Sequence, residues 1–144
     1  MRFRLSTEAT IKHLNVRKEG EEDDKQLAVD IKIDCDESAL LCDFFDAKLR
    51  AFLFNDIGAA SNVMLEAVRY SHAIQHIDVD FCGFEFRDCE LKKFQIMPKD
   101  GNRINMVFSV TIMPRSDELA VIAEHLGEVV KFVALAQPDL LTNI

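Results

Sequence analysis

The sequence of 144 residues lacks tryptophan, holds a single tyrosine, and has only five glycines and three prolines. Such low glycine and proline contents exclude collagen-like and low-complexity chains. Glycine is also too scarce for a phosphate-binding loop, and no G-x-S-x-G, Walker, Rossmann or H-E-x-x-H motif occurs. No apolar run reaches the roughly 18 residues that a transmembrane helix needs, so we expect no membrane span. The sequence therefore predicts one globular domain, residues 1–144, without a motif that is diagnostic of a chemistry.

Positive charge is also in short supply, because 17 basic side chains stand against 25 acidic ones and the net charge is −8. A protein that holds duplex DNA through its phosphates needs a basic face, so this balance argues against duplex DNA as a partner. The N-terminal segment lacks the apolar region of a signal peptide, which predicts a cytoplasmic location. The four cysteines lack the C-x2-C spacing of zinc ribbons and are interpreted as reduced, inert thiols: Cys35, Cys42, Cys82 and Cys89.

Two histidines deserve a separate test as metal ligands. His72 and His76 are four residues apart, which places both imidazoles on one face if the segment is a helix. If the segment is a strand, the same two side chains are about 13 Å apart and too distant to share an ion. We favour the strand, and we predict neither a metal nor a cofactor.

Alternation of apolar and polar residues is the strongest positive signal. Residues 27–35 and 104–112 alternate with period two, which predicts strands with one face in water. Further strands are predicted over residues 10–17, 77–86, 91–97 and 129–135, with a bulge or bend near Gly83 and a strand end at Pro98.

Helical patterns interrupt the strands at two places. A helical insertion over residues 38–54 begins at a Ser38 cap, and a second helix begins at a Ser116 cap and ends before Gly127. Residues 55–70 are interpreted as a mobile loop, in which Val63 to Arg69 is an alternative helix, and residues 138–144 as a tail. The order of elements predicts a mainly β (α+β) fold: an antiparallel β-sandwich or open barrel with a short helical insertion and one C-terminal crossover helix.

Acidic side chains are concentrated in two segments. The first is a predicted hairpin tip over residues 18–25, and the second runs from Asp78 to Glu90, where several acids share a wet face if the neighbouring phenylalanines point inward. Such a surface is either an ordinary solvated face or one that binds a divalent cation, supplies glycosidase acids or imitates a phosphate backbone. The candidate partner-binding residues are Glu19, Glu21, Glu22, Asp23, Asp24, Asp78, Asp80, Glu85, Asp88 and Glu90.

One local group of residues favours a different partner. Phe94 lies near Lys92, Lys93 and Lys99, and exposed aromatic rings among basic side chains are typical of proteins that bind single-stranded nucleic acid. Phenylalanine is more often a core residue, so a buried ring at Phe94 is the competing interpretation.

Several segments together carry a family resemblance. Asn15 to Glu19, the acidic break that follows, and Ala28 to Lys32 form one such segment, and Phe44 to Arg50 forms another. With the strand pair at residues 89–97 and 102–113, they resemble small conserved proteins of tailed bacteriophages and prophages. Those relatives carry Gly-Gly before the last long strand, where this chain has Asp100-Gly101-Asn102. The resemblance implies a phage context and a bacterial host cytoplasm, and it transfers no catalytic residue.

These observations lead to three hypotheses about function. The first is a non-enzymatic phage accessory protein that binds a host or phage protein with a basic nucleic-acid-binding surface, as an anti-CRISPR-like or DNA-mimic-like inhibitor does. The second is a single-stranded nucleic-acid-binding or recombination accessory protein, and the third is a carboxylate- or metal-dependent enzyme. Residues 129–135 are apolar on both faces except at Lys131, which predicts either a central strand or a strand that pairs across a homo-dimer.

Overall fold

The computed structural model describes residues 2–21, 25–55, 59–60 and 67–138. Within these ranges the strands are β1 (Arg4–Glu19), β2 (Gln26–Ser38), β3 (Val68–Tyr70), β4 (Ile74–Phe81), β5 (Phe84–Lys99), β6 (Arg103–Ile112) and β7 (Val129–Ala136). The helices are a 3₁₀ turn (Ala39–Leu41), α1 (Cys42–Phe45), α2 (Leu49–Leu53) and α3 (Ser116–Glu124). The predicted mainly β class, with a short helical insertion and one C-terminal crossover helix, is confirmed.

The strands form one antiparallel sheet that closes on itself as a barrel. Their order is β3-β5-β4-β7-β1-β2-β6, and β5 also pairs with β6. Closure depends on the length of β5, whose 16 residues pair with β4 in the first half and with β6 in the second. Strand β7 has β1 on one side and β4 on the other, so it is a central strand. Its edges are already used within the chain and are not available to pair across a dimer.

Phenylalanine rings fill the interior of the barrel. Phe81 contacts Phe132, Phe132 contacts Phe108, and Phe108 stacks on Phe94, with centroid distances of 5.5, 5.8 and 5.1 Å. Phe94 also approaches Phe3 at 6.0 Å. The alternation of the strands places these rings on the inner face, where large apolar side chains are removed from water. The high phenylalanine content of the sequence is therefore explained by the core.

The segment from Ile77 to Phe86 is two strands and not the single bulged strand that its pattern predicts. Cys82 and Gly83 form a turn between β4 and β5, with φ angles of 55° and 82°. Positive φ at both central residues is the geometry of a type I′ hairpin, which is most often made by Asn-Gly or Asp-Gly. The unusual Cys-Gly pair concealed the hairpin in the sequence. As a consequence, Asp80 lies directly opposite Glu85.

Other strand boundaries also differ from the prediction, and β1 begins at Arg4 and not at Thr10. Strand β5 does not end before Pro98 but continues to Lys99 and pairs Pro98 with Ile104. Among the described residues, β3 pairs with β5 only as far as Ile96, so Pro98 has a paired strand on one side only. Proline is tolerated at such edge positions because it has no N–H group to donate to a second strand. Within the predicted loop over residues 55–70, Val68 to Tyr70 form strand β3 and not a loop or helix, while residues 56–58 and 61–66 lie outside the described residues.

The helix ends agree in part with the predicted caps. The Ser38 hydroxyl accepts a hydrogen bond from the Leu40 amide at 3.2 Å, as predicted for the start of the insertion. At α3 the cap is Arg115 and not Ser116, because the Arg115 amide donates to the Glu118 carboxylate at 2.9 Å. Gly127 lies two residues beyond the final cap, His125. None of the described helices is both long enough and apolar enough to cross a membrane.

Candidate partner-binding groove

The two acidic segments of the sequence meet along one surface groove. The groove encloses about 610 Å³ near the ends of β1 and β6 and the start of β5. Its charged lining consists of Glu19 from β1, Glu85, Asp88 and Glu90 from β5, and Glu118 from α3, together with Arg17, Arg87 and Lys92. We call this site the acidic groove. Glu19 and Glu85 are far apart in the sequence and are brought together by the closure of the barrel.

The strand register places Glu90 on the same side of the barrel as β2, the second strand of the predicted acidic hairpin. Asp30 on β2 lies opposite Thr111 on β6, and Thr111 lies opposite Glu90 on β5. Residues that are directly paired point to the same face of a sheet, so the three side chains form a row on the outer face of the barrel. Glu90 and Thr111 of this row line the acidic groove.

Asp30 binds three residues that line the acidic groove and so fixes their positions. Arg17 donates to both carboxylate oxygens of Asp30, from Nε at 3.1 Å and from Nη2 at 3.2 Å. The Thr111 hydroxyl donates at 2.6 Å, and Lys92 Nζ lies 3.5 Å from Oδ1. The hydrogen bond from Arg17 holds the pKa of Asp30 well below its usual range, against the opposing effect of burial, and Thr111 and Lys92 act in the same direction. Asp30 is therefore ionised at neutral pH and fixes the position of two basic side chains.

The basic side chains of the groove are already neutralised by carboxylates. Arg17 pairs with Glu19 as well as with Asp30. Arg87 lies 3.2 Å from Glu85, and Lys92 lies 3.8 Å from Glu90. Since five carboxylates and three basic groups line the groove, negative charge is in excess.

The acids at the rim of the groove are open to solvent. The side chains of Glu19, Glu85 and Asp88 are 43%, 53% and 63% exposed. Met113, at the end of β6, adds an apolar contact surface to the lining and is 55% exposed. The groove therefore presents accessible carboxylates beside an exposed apolar side chain, which suits a basic segment that also carries apolar groups.

The other predicted acids of the second segment extend this negative surface outside the groove. Asp80 and Glu85 occupy directly opposed positions on β4 and β5, an arrangement in which like charges destabilise a sheet. Asp78 accepts hydrogen bonds from Gln137 at 2.8 Å and from the Asp88 amide at 3.0 Å. Burial raises the pKa of Asp78, but these two hydrogen bonds outweigh it, so the net shift is downward.

The first acidic segment is only partly described. Glu19 ends β1 and lines the groove, and Glu21 is exposed just beyond it. The predictions for Glu22, Asp23 and Asp24 lie outside the described residues.

The residues predicted to bind single-stranded nucleic acid do not form one site. The Phe94 ring is completely buried and cannot stack on a base, which corrects the interpretation of this residue as a platform. Lys92 is held by Asp30 and Glu90. Lys99 lies farther along β5 and contacts Asp36 at 2.5 Å, while Lys93 is exposed. The alternation of β5 separates Phe94 from the lysines because neighbouring residues face opposite sides of a strand.

The environments of the cysteines and histidines do not favour thiol reactivity or metal binding. Burial raises the pKa of Cys35 and Cys89 to about 12 and that of Cys42 to about 11, so these thiols are not nucleophiles at neutral pH. His76 lies in β4 and its Nδ1 is 2.6 Å from Asp88. Across the described ranges, no group of three or more His, Cys, Asp or Glu side chains is arranged to hold a metal ion.

Apolar side chains are exposed on the outer face of β7. Val129 and Leu135 are 62% and 42% exposed, and Val133 and the exposed Lys131 lie between them on the same face. The register places Asp78 on one side of Leu135 and Arg4 on its other side. The apolar stripe thus has an acidic border on β4 and a basic side chain on β1.

Part of the acidic groove was not recognised from the sequence. Arg17, Asp30, Thr111 and Glu118 have no unusual local pattern, since each occupies an ordinary polar position of a strand or helix. Arg17, Asp30 and Thr111 come together through the pairing of β1 with β2 and of β2 with β6, whereas Glu118 is supplied by α3. Only a correct prediction of which strands pair, and in which register, would have revealed this part of the site.

The fold and the site together define a closed antiparallel β-barrel with an acidic groove at one end. Comparison of the chain with protein-family models, with curated proteins and with solved structures gave no match.

Proposed function

We propose that the protein is a non-enzymatic accessory protein that binds a basic surface of a macromolecular partner through the acidic groove. One observation carries this proposal: Glu19 and the cluster of Glu85, Asp88 and Glu90 come from separate acidic segments but line the same groove. If the acids only formed ordinary solvated strand faces, the two segments would have no reason to meet in one groove. The resemblance to phage accessory proteins is consistent with a partner from the host or the phage.

The chemistry of the groove favours lysine and arginine side chains as ligands. Its five carboxylates outnumber its three basic residues, and of the two acids without a basic partner in the groove, Asp88 contacts His76 and Glu118 contacts Arg115. The exposed carboxylates keep a net negative charge that attracts cations of another molecule. Electrostatic complementarity of this kind accelerates association and selects against acidic partners. A nucleic-acid-binding protein presents such a basic surface, and the groove would occupy it in competition with phosphates. The protein would then act as an inhibitor of a defence or nucleic-acid-processing complex.

A binding experiment with a basic peptide tests the groove directly. A fluorescent oligo-arginine peptide is titrated with the wild-type protein and with the double variant Glu85→Gln/Asp88→Asn. Each exposed ion pair contributes about 0.2–1 kcal/mol, so the variant should bind roughly two- to thirtyfold more weakly. The affinity of the wild-type protein should also fall as salt is added, because exposed charges are screened.

A matched control separates the groove from net charge. Asp43 and Glu124 are exposed acids outside the groove, and Asp43 pairs with Arg50 as Glu85 pairs with Arg87. The double variant Asp43→Asn/Glu124→Gln has the same net charge as the groove variant and should bind the peptide like the wild type. Equal weakening by both double variants would reject the groove as the binding site. Competition by the wild-type protein, but not by the groove variant, for a basic protein bound to DNA would support the inhibitor role.

We also propose that a second copy of the chain covers the outer face of β7. The contact is centred at Leu135, because a two-fold axis parallel to β7 also opposes the two copies of Lys131, which repel each other. At Leu135 this axis stacks Leu135 on Leu135 of the second copy and places Arg4 of one copy opposite Asp78 of the other. This follows because Arg4, Leu135 and Asp78 are level in the sheet register. An axis perpendicular to β7 would instead oppose the two acidic borders. The apolar stripe is small, so we expect a dimer that depends on concentration.

A further inference from the structure

A second charged surface crosses the outer face of the barrel at right angles to its strands. His13 on β1 lies opposite Lys32 on β2, and Lys32 lies opposite Ser109 on β6. Ser109 in turn lies opposite Lys92 on β5. These paired positions share the outer face, so they form a continuous row over four strands.

Two bulges add a lysine near each end of this row. The register of β1 shifts between Ile11 and His13, so the intervening Lys12 is an extra outward residue. The register of β5 shifts between Lys92 and Gln95, and Lys93 in this bulge has a φ of 58°. A bulge redirects a side chain at a local cost in strain, and it is commonly found beside functional sites.

Strand β3 adds one more basic residue beside the row, in the neighbouring line of paired residues that runs from Asp34 through Val107 to Gln95. Arg69 lies opposite Gln95 of β5 and is exposed. We name Lys12, His13, Lys32, Lys93 and Arg69 the basic row. At about 4.8 Å per strand spacing, the five strands from β1 to β3 carry it over roughly 19 Å.

The basic row has uncompensated positive charge in spite of the acidic composition of the chain. The two acids that line the depressions along the row already have partners, since Asp30 is bound by Arg17, and Asp34 accepts from Asn105 at 2.7 Å and lies 3.9 Å from Lys12. Among the described residues, Lys32 and Lys93 make no ion pair, and neither does Arg69. Three cations of the row are therefore free to meet anions from solution.

Neutral polar side chains also line this surface. Two shallow depressions of about 340 and 490 Å³ lie along the row and share His13, Lys32, Gln95 and Val107, and each also contains one carboxylate, Asp30 in the first and Asp34 in the second. Asn15 and Ser109 line the first of them. Amide, hydroxyl and imidazole groups beside lysines are the usual partners of phosphate oxygens.

We propose that the basic row binds successive phosphates of a single-stranded nucleic acid. A duplex is stiff, with a persistence length of about 50 nm, so it touches a convex barrel over a short length. A single strand bends around the barrel and reaches the cations on several strands. The net charge of −8 also penalises the more highly charged duplex. This site is distinct from the acidic groove, and it uses Lys93 without requiring the buried Phe94 to stack.

Fluorescence anisotropy with a labelled oligothymidylate tests the basic row. The wild-type protein is compared with Lys32→Gln/Lys93→Gln and with the control Lys18→Gln/Lys48→Gln, whose lysines are exposed outside the row. In about 50 mM salt we expect binding by the wild type and the control, and at least tenfold weaker binding by the row variant. Removing two phosphate contacts should also reduce the slope of log affinity against log salt by about 1.4. Circular dichroism verifies that each variant is folded.

Three results would overturn the proposal. They are the absence of binding by the folded wild-type protein in low salt, equal affinities of the row and control variants, and binding of a duplex of the same length as tightly as the single strand. The oligo-arginine titration reports on the acidic groove alone, so failure of either site leaves the other measurable.

Discussion

Replacement of Phe94 by alanine is the most direct test of the position of this ring in the barrel. Phe94 is completely buried, and its ring lies 5.1 Å from both Phe45 and Phe108, 6.0 Å from Phe3 and 6.2 Å from Tyr70. The ring is thus a junction between the barrel core and the aromatic side chains of the helical insertion and β3. Alanine would leave a cavity among all four neighbours.

The magnitude of the effect follows from the burial of the ring. Truncation of a buried phenylalanine to alanine costs about 3–5 kcal/mol, including the cavity that remains. A domain of this size has a free energy of unfolding of about 5–15 kcal/mol, so the variant loses a large part of its stability. The corresponding fall in melting temperature is roughly 6–20 °C.

Urea denaturation followed by far-ultraviolet circular dichroism measures this loss. Tryptophan is absent from the sequence, so its fluorescence is not available as a probe, but the single tyrosine, Tyr70, contacts Phe94 and gives a local near-ultraviolet signal. Leu126→Ala is the control, since Leu126 is 50% exposed, and it should change stability by less than about 1 kcal/mol. If Phe94→Ala unfolds within about 1 kcal/mol of the wild type but loses oligonucleotide binding, the ring is an exposed platform and the core assignment is wrong.

Three further changes have defined outcomes. Asp30→Asn should destabilise the protein by about 1.5–3 kcal/mol at neutral pH, because Asp30 accepts charged hydrogen bonds from Arg17. The pKa of Asp30 is lower in the folded state than in the unfolded state. Its contribution to the free energy of unfolding is therefore present above about pH 4 and is lost as the pH falls toward the folded-state pKa. The difference in stability between Asp30→Asn and the wild type in urea denaturation should shrink at acidic pH. Cys82→Asn should stabilise the protein by up to about 1 kcal/mol in thermal unfolding, because asparagine tolerates the positive φ of the β4–β5 turn better than cysteine does. Leu135→Lys should shift the protein to the monomer in light scattering, because it places a charge in the apolar stripe.

Each of these changes has a control and a contrary result. A pH-independent effect of Asp30→Asn would show that ionisation of this carboxyl does not stabilise the fold, and Asp43→Asn at an exposed ion pair should have little effect. Gly83→Ala should destabilise the protein by about 1–2 kcal/mol, because alanine is strained at the positive φ of this position. No steric clash adds to this cost, since nothing lies within 4 Å of the added Cβ. A loss of stability in Cys82→Asn would contradict the type I′ turn. Leu126→Lys, outside the stripe, should leave the oligomeric state unchanged, and a wild-type monomer at every concentration would reject the dimer.

Local patterns were sufficient to predict several elements. The alternation in β2 and β6 predicted these strands, and the segment from Ser116 to Gly127 predicted α3 although its cap is Arg115, because strand and helix periodicities follow from the geometry of the chain alone. The mainly β class and the sequence position of the acidic segments followed from the same local evidence. The Cys82-Gly83 hairpin was missed because its residue pair is rare at such turns.

Sites that combine distant segments depend on how the strands pair in the barrel. The closure of the barrel by β5 brought Glu19 and Glu85 to one groove, and the register of β1, β2, β6 and β5 aligned His13, Lys32 and Lys93 on one face. Burial of Phe94 was likewise a consequence of its direction within a long strand. A sheet joins residues by cross-strand pairing, and a shift of one residue moves every side chain to the opposite face. Such sites therefore depend on register, which the composition and periodicity of single segments do not specify.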